Sequence, residues 1–337
     1  MIKVAINGFG RIGRLAFREI IKGTDFDIVA INDLTDAETL AYLLKYDTNH
    51  RSFHEEIINF ENDEIVIKGT KRVKVYSETD PSKLPWGELG IDVVLECTGA
   101  FTSLEGASKH IEAGAKKVII SAPGKGEMKT IVYNVNSESL DGSETVISAA
   151  SCTTNCLAPV LKVIEDNIGI VKGYMTTVHA YTNDQATLDV PHKKGILARR
   201  GRACAMNIVP ASTGAASAIG KVIPSLLGKM DGNAFRVPVS DGSVIDVTLE
   251  LARNTTVEEL NTLFTNNQNE TLRITMDPVV SSDILGKKCG ALVDGLSTNV
   301  LESDGRQLVK IVAWYDNEMG YTAQMMRTAK KLMSFNE

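Results

Sequence analysis

Lys3-Val4-Ala5-Ile6-Asn7 is a short apolar run with strand character, and Gly8-Phe9-Gly10-Arg11-Ile12-Gly13 follows it directly. Beyond the glycines, Ile12, Leu15, Ala16 and Ile20 recur at the spacing of one helix face. Strand, glycine turn and helix in that order commit the chain to a βαβ beginning. The first glycine permits the tight turn, Gly10 lets a pyrophosphate approach the backbone, and Gly13 lets helix and strand pack closely. The N–H groups at the helix start then face the phosphates. A second strand, Asp27 to Asn32, ends in Asp33, twenty residues after Gly13. A carboxylate at that distance accepts from ribose hydroxyls and repels a 2′-phosphate, so the pattern predicts NAD rather than NADP.

The first half continues to alternate as a parallel sheet with crossover helices requires. Thr35-Asp36-Ala37-Glu38 has the spacing of a capping box before a helix through Leu44. Glu64 to Ile67 and Arg72 to Tyr76 form an inserted hairpin, and Asp92 to Cys97 returns to an interior strand. A helix over Leu104 to Ala113 leads to the strand Lys117 to Ser121, with loop chemistry at its carboxyl end, where open α/β sheets bind ligands. Past Cys156 the texture changes. Gly173 to Val178, Ala234 to Val239 and Val244 to Leu251 are strands without a helix between each pair. The last alternates Ile245, Val247 and Leu249 with Asp246, Thr248 and Glu250, as a strand of a half-exposed antiparallel sheet does. Val257 to Phe264 is a helix, Leu308 to Trp314 a strand, and Tyr321, Met325, Ala329, Leu332 and Met333 mark one face of a closing helix. The expected architecture is an α/β Rossmann-type nucleotide-binding domain, 1–151, joined by a closing helix, 318–337, that packs back on it. The second domain, 152–317, is α+β, catalytic, involved in oligomerisation, and built on a mostly antiparallel sheet.

Composition narrows the function classes. A net charge of −6 argues against nucleic acid as the primary partner, no window of 18 or more apolar residues exists, and the first residues lack the apolar core of a signal peptide. Cysteines 97, 152, 156, 204 and 289 form no CxxC pair and no even disulfide framework, which fits a reducing, cytoplasmic compartment. No nearby histidine or cysteine pair completes a four-ligand set around Cys152 and Cys156, so no metal is expected.

Chemistry concentrates at Ser148-Ala149-Ala150-Ser151-Cys152-Thr153-Thr154-Asn155-Cys156. Val146 to Ala149 is a buried strand, Thr153 or Thr154 offers an N-cap, and Cys152 falls at the start of a helix carrying Leu157, Val160, Leu161 and Ile164 on one face. Free N–H groups and the positive end of the helix dipole favour a thiolate there. Cys156, one turn deeper, has the profile of a packing residue. A base for the thiol comes from five histidines, 50, 54, 110, 179 and 192. His179 ends a β-rich run and opens a loop, the usual location of a catalytic group. An activated thiol pairs with a histidine distant in sequence and close in space.

Six stretches together resemble phosphorylating glyceraldehyde-3-phosphate dehydrogenases in order and spacing: Asn7 to Arg14, Ser151 to Cys156, Thr176 to Gln185, Pro210 to Ala216, Phe235 to Pro238, and Trp314 to Tyr321. The resemblance spans nearly the whole chain. It implies oxidative phosphorylation of glyceraldehyde 3-phosphate, with NAD and inorganic phosphate, through a Cys152 thiohemiacetal and thioester with His179 as base. It also implies two anion pockets made by Ser151, Thr153, Thr182, Arg200, Thr213, Gly214 and Arg236. Hydroxyls, a glycine N–H and guanidinium forks are what phosphate oxygens need. For NAD it implies Gly8, Gly10, Arg11, Ile12 and Gly13 at the phosphates, Asp33 at the adenosine ribose, Ser121, and Asn317 near the nicotinamide, where Asn317 also serves as a cap for the closing helix. It further implies a homotetramer in which the loop Thr187 to Arg202 packs on a neighbour.

Several positions depart from the family pattern. Thr79 stands where an arginine contact to adenine is common, Arg51 where a glycine is common, and Ser240-Asp241-Gly242 replaces a Pro-Asn-Val run. The loop from His192 to Arg202 is long, with Lys194-Gly195-Ile196-Leu197-Ala198 before Arg199-Arg200-Gly201-Arg202, and Arg200 fits the phosphate role best. Two other readings are open to the sequence: a sibling enzyme acting on erythrose 4-phosphate, and a nucleotide-binding surface adhesin or RNA binder. The acidic charge and the missing basic stripe weigh against RNA.

Overall fold

A computed structural model of the protein describes residues 1–193 and 195–336, with the side chain of Asn336 not included. Lys194, part of the long loop, and Glu337, the end of the closing segment, lie outside the described residues. The chain divides into two compact units, one of Met1–Tyr133, Ser137–Ala150 and Met325–Glu337, the other of Asn134–Asn136 and Ser151–Gln324.

The first unit is built on β1 (Ile2–Asn7), α1 (Arg11–Lys22), β2 (Phe26–Asn32), α2 (Ala37–Lys45), β3 (Ile58–Glu61), β4 (Glu64–Ile67), β5 (Lys71–Tyr76), α3 (Trp86–Leu89), β6 (Val93–Glu96), α4 (Leu104–Glu112), β7 (Lys117–Ile120) and β8 (Val146–Ser148). Its eight strands lie in the order β3-β4-β5-β2-β1-β6-β7-β8. From β5 to β8 every pairing is parallel, while β3, β4 and β5 pair antiparallel as the inserted hairpin. β6 and β7 are buried along their whole length, which is why they read as continuous apolar runs. The order reverses on either side of β1, so the turn after β1 opens at the switch point where such sheets bind ligands.

Local caps depart from expectation in two places. Asp36, not Thr35, starts α2: its carboxylate accepts from Thr39 N–H at 2.8 Å, while Thr35 N–H donates to Asp33 Oδ1 at 3.0 Å. An acid beside a threonine takes the cap because its two oxygens satisfy both the Thr39 N–H and the Thr39 hydroxyl. Arg51 adopts φ 62°, the left-handed region, which accounts for the glycine common at that position. Its carbonyl accepts from the buried Arg18, a bond that a glycine keeps. Arg51→Gly is therefore expected to raise the unfolding midpoint of the first unit by about 2 °C, and differential scanning calorimetry checks it; an unchanged or lowered midpoint contradicts the strain.

The second unit holds α5 (Cys152–Asn167), β9 (Ile170–Ala180), β10 (Val209–Ser212), β11 (Met230–Val237), β12 (Ser243–Leu251), α6 (Val257–Asn266), β13 (Leu272–Thr275), β14 (Ala291–Asp294), β15 (Asn299–Ser303), β16 (Arg306–Tyr315) and the start of α7 (Met319–Met333). The strand order is β10-β11-β9-β12-β16-β14-β13, with β15 on β16. Only the β9–β11 and β13–β14 pairs are parallel, so the sheet is mostly antiparallel. Ile245, Val247 and Leu249 of β12 are buried, while Asp246, Thr248 and Glu250 are not. α5 packs on this sheet against β9, β12, β14 and β16. Pro159 within α5 removes the N–H that would reach the Asn155 carbonyl, and Gly290 comes so close to that oxygen that a Cβ there would stand 2.7 Å away.

The division of the chain cuts α7 between Gln324 and Met325, whereas the sequence places the whole segment 318–337 with the first unit. Within the first unit, Lys330 reaches Asp25 at 2.8 Å and Lys331 reaches Glu138 at 3.0 Å. Tyr321, Met325, Ala329, Leu332 and Met333 are all buried, the face marked out by their spacing. Among the described residues, no helix is long and apolar enough to cross a membrane.

Candidate active site

Cys152 is the first residue of α5, and Ser151 is its N-cap: the Ser151 hydroxyl accepts from Thr154 N–H at 3.0 Å and pairs with the Thr154 hydroxyl at 2.8 Å. The cap expected at Thr153 or Thr154 thus lies earlier, because Ser151 is the residue whose backbone is still extended. Just before it, Ala150 takes the left-handed conformation at φ 59°, a strained arrangement of the sort that persists where it aims a functional group.

His179 is the penultimate residue of β9, and its Nε2 stands 3.4 Å from Cys152 Sγ. Nδ1 lies 2.6 Å from the Ala180 carbonyl oxygen. Arg236, opposite His179 in the parallel register of β9 and β11, places one guanidinium nitrogen 2.9 Å from His179 Nδ1, where it also donates to the Ala180 carbonyl at 3.0 Å and to the Thr182 hydroxyl at 3.2 Å.

The electrostatics modify the expectation of a ready thiolate. Burial pushes the Cys152 thiol above its ordinary value, against the pull of the Arg236 charge and of the Thr153 and Cys152 hydrogen-bond donors. Burial, and then the Arg236 charge, push His179 down to about 3, with the Ala180 carbonyl acting the other way. The resting pair is therefore thiol and neutral imidazole. Desolvation outweighs the helix start when no anion or substrate is present. Cys156 is fully buried, and burial raises its thiol further still, in keeping with a packing role.

A group of phosphate-type donors adjoins the pair. The Thr182 hydroxyl donates to Asp184 at 2.6 Å, and Arg200 forms an ion pair with the other Asp184 oxygen. Arg236 Nε is buried without a partner. An orphaned guanidinium N–H beside a hydroxyl and a second arginine suits an oxyanion. Of the three arginines of the loop, Arg200 joins this group, Arg202 pairs with Asp189, and Arg199 is a left-handed turn residue at φ 57°. The Thr153 hydroxyl, buried, bonds Tyr315 OH at 2.9 Å. Thr213 and Gly214 follow β10, with the Thr213 hydroxyl accepting from Ala215 N–H at 3.2 Å and open space where a Gly214 Cβ would stand.

Tyr315 lies within the stretch Trp314 to Tyr321, and the sequence alone assigns it no role. Its OH joins the Thr153 and Thr177 hydroxyls at 2.9 and 2.8 Å, and its ring meets His179 edge-on at 5.9 Å. It fixes α5, β9 and β16 to one another beside the Cys–His pair. Asp184, also without an assigned role, organises the arginine and threonine donors; neither role is visible before the strands are paired.

In the first unit a cavity of about 450 Å³ is lined by Gly8, Gly10, Asp33, Thr79, Cys97 and Phe101, among others. It passes the test for a dinucleotide. Gly8, at φ 92°, comes so near Thr98 that a Cβ would stand 2.6 Å from its nitrogen, and a Gly13 Cβ would stand 2.2 Å from the Gly8 oxygen. At Gly10 a Cβ would meet nothing within 4 Å, the open approach that a pyrophosphate needs. Asp33 accepts from Phe9 N–H at 2.7 Å and from Thr35 N–H at 3.0 Å, which fixes its carboxylate at the cavity. The Arg11 guanidinium turns to Asp47. Burial would raise the Asp47 carboxyl, but Arg11 and the His50 N–H hold it down to about 2. Ser121 sits just past β7 with its N–H on the Glu96 carbonyl. In the second unit, Asn317 Oδ1 accepts from the Ser243 hydroxyl at 2.6 Å. The cap of α7 is Asp316, which accepts from the Glu318 and Met319 N–H groups, so the capping role expected of Asn317 belongs to its neighbour.

Comparison with known proteins gives two family matches. The family described as "Glyceraldehyde 3-phosphate dehydrogenase, NAD binding domain" matches residues 2–104, and "Glyceraldehyde 3-phosphate dehydrogenase, C-terminal domain" matches residues 151–317. Proteins named glyceraldehyde-3-phosphate dehydrogenase from Clostridium pasteurianum and Clostridium acetobutylicum are 59% and 58% identical over 328 residues, and one from Streptococcus pyogenes is 54% identical over 329. Each alignment covers 97% of both chains.

Proposed function

Since this chain belongs to the glyceraldehyde 3-phosphate dehydrogenase family, we propose that Cys152 is its nucleophile and His179 its base in the NAD-dependent oxidative phosphorylation of glyceraldehyde 3-phosphate. The observation that carries this assignment is the 3.4 Å contact between Cys152 Sγ and Nε2 of His179. As the aldehyde carbon arrives, His179 takes the thiol proton and the sulfur bonds to that carbon, so the resting thiol is activated in the act of attack. The Cys152 N–H, at the start of α5, and the protonated His179 face the oxygen that becomes negative. His179 returns its proton to that oxygen and takes it again as the carbon is oxidised to a thioester. NAD⁺, when bound, supplies the acceptor for the hydride lost in that oxidation. Inorganic phosphate then attacks the thioester carbon, the sulfur leaves as thiolate, and the product is the acyl phosphate 1,3-bisphosphoglycerate.

Arg236, Thr182 and Arg200 hold one phosphate, and Ser151, Thr153, Thr213 and Gly214 contribute to the second. The orphaned Arg236 Nε supports the first group. For the cofactor, residues 8–13 and Asp33 take the diphosphate and adenosine ribose, with Ser121 and Asn317 as further contacts. Residues 1–151, with the closing helix, serve as the cofactor domain and 152–317 as the catalytic one. Five free cysteines support a cytoplasmic setting. The test is turnover: with phosphate present, NADH formation on glyceraldehyde 3-phosphate should exceed that on erythrose 4-phosphate. The reverse preference would reassign the substrate.

Asp33→Gly should raise the NAD KM about tenfold and lower the NAD:NADP efficiency ratio by one to two orders of magnitude, on the order of 1.4–2.8 kcal/mol. Steady-state kinetics on both cofactors decide it, and an unchanged ratio places selection elsewhere. The loop between Thr187 and Arg202 exposes Leu188 at 74%, Val190 at 56%, Ile196 at 92% and Leu197 at 89% in the single chain. Such exposure supports a homotetramer in which this loop packs on a neighbouring subunit. Light scattering at micromolar protein should report four chains, and Leu197→Asp should shift the population to smaller species and weaken NAD binding. A fully active native monomer would contradict that role.

A further inference from the structure

Beneath the nucleotide cavity runs a buried hydrogen-bond chain whose donors all point to one carboxylate. Glu96, at the end of β6, is 1% exposed. It accepts from Asn7 Nδ2 at 2.5 Å, from His110 Nε2 at 3.1 Å, from Thr98 N–H at 2.8 Å and from the Thr98 hydroxyl. The direction of the His110 bond is settled from behind, since Trp86 Nε1–H donates to His110 Nδ1 at 3.0 Å and the remaining proton must sit on Nε2. Asn7 is oriented in the same way. Its oxygen accepts from Asn32 Nδ2 at 2.7 Å, so its amide nitrogen has to face Glu96. Asn32 in turn clasps the Glu78 backbone at both its N–H and its carbonyl.

Asn7, Asn32, Glu78 and Thr98 line the cavity, whereas Glu96, His110 and Trp86 do not. Thr98 N, fixed by Glu96, is also the atom that a Cβ on Gly8 would meet at 2.6 Å, so its position sets how closely the glycine turn lies against the end of β6. We propose that Glu96, through Asn7 and Thr98, is a positioning residue for NAD binding, held in its orientation by the Trp86–His110 relay. The proposal rests on the assignment of NAD to this cavity and adds residues that do not touch the cofactor.

Glu96→Gln keeps size and shape but turns one acceptor into a donor. Its NH₂ must then face Thr98 N–H on one side, or Asn7 and His110 N–H on the other, and no rotation of the amide avoids a donor against a donor. The expected result is an NAD Kd and KM raised about tenfold, with kcat at saturating NAD and the KM values for aldehyde and phosphate unchanged. Trp86→Phe removes only the distant N–H and should raise the NAD Kd about threefold with kcat retained. Calorimetric titration with NAD and steady-state kinetics are run on wild type, both variants and Asp33→Gly, with circular dichroism as the check of fold. A merely structural Glu96 lowers the melting temperature and leaves NAD affinity per folded molecule alone. Folded variants within twofold of wild-type affinity, or a kcat that falls as far as affinity does, overturn the proposal. If Glu96→Gln does not fold, Trp86→Phe decides by the same criteria. Should wild type itself fail to bind NAD, the cofactor assignment falls; should Asp33→Gly alone lose affinity, that assignment stands and the positioning role falls.

Discussion

Replacing Cys152 with serine is expected to cut kcat by three orders of magnitude or more, a loss of at least about 4 kcal/mol of transition-state stabilisation, while NAD binding is retained. The hydroxyl occupies the place of the thiol, but it must lose its proton to a His179 already held down to about 3, and so weak a base cannot prepare an alkoxide. The thiol succeeds because its proton is more easily taken and sulfur is the better nucleophile. The same geometry predicts selectivity among cysteines. Cys152 is half-buried and stands at a helix start, whereas Cys156 is fully buried, so iodoacetamide should label Cys152 first. Stopped-assay kinetics and peptide mapping check both statements. A serine variant retaining a tenth of the rate, or equal labelling of the two cysteines, would contradict an activated Cys152.

The second large effect belongs to His179→Asn. An asparagine fills a similar space and can still donate to the Ala180 carbonyl, but it offers no base to the sulfur. The loss expected for a missing general base is about 10²–10⁴ in kcat. A pH signature separates this role from packing. In the folded protein His179 titrates near 3, below its ordinary 6.5. Between those values the unfolded chain binds the proton and the folded chain does not, so stability falls as pH drops from about 6.5 towards 3 and is fully present above 6.5. The penalty is several kcal/mol at order of magnitude. His179→Asn removes it, so denaturant unfolding from pH 7 to pH 4 should show a shallower loss in the variant than in wild type. Asp47, held down to about 2 by Arg11 and the His50 N–H against burial, loses its contribution only below its own ordinary value of 3.8 and is common to both proteins. Equal slopes for variant and wild type would mean that His179 is not held neutral by its surroundings.

Much of this site was legible because its chemistry depends on residue type at fixed spacing. Gly8 and Gly13 are required by close backbone approach, with contacts of 2.6 and 2.2 Å where their Cβ atoms would stand. Cys152 before an apolar helix and His179 near a strand end follow from periodicity. Caps were less legible. Ser151 and Asp36 are caps because their backbones remain extended while the next residue turns helical, and a run of several hydroxyl or acidic residues does not say which one makes that change. The same applies to Asp316 and Asn317. The strands β3, β10, β13 and β15 keep most of their positions out of the core, so neither an apolar run nor a clean alternation marks them. Tyr315, Asp184 and Glu96 act through partners that pairing of the strands brings to them, with sequence separations of 162 between Tyr315 and Thr153 and 89 between Glu96 and Asn7.

The claim that Cys152 carries the acyl group is tested most directly by trapping it. Protein mixed with NAD and glyceraldehyde 3-phosphate, without inorganic phosphate, is quenched in acid and analysed by peptide mass spectrometry. The account predicts one phosphoglyceroyl thioester per chain, on the peptide containing Cys152, formed together with one equivalent of NADH and lost when phosphate is added before the quench. Steady NADH formation without phosphate and without an acylated peptide, or acylation on any residue other than Cys152, would contradict it.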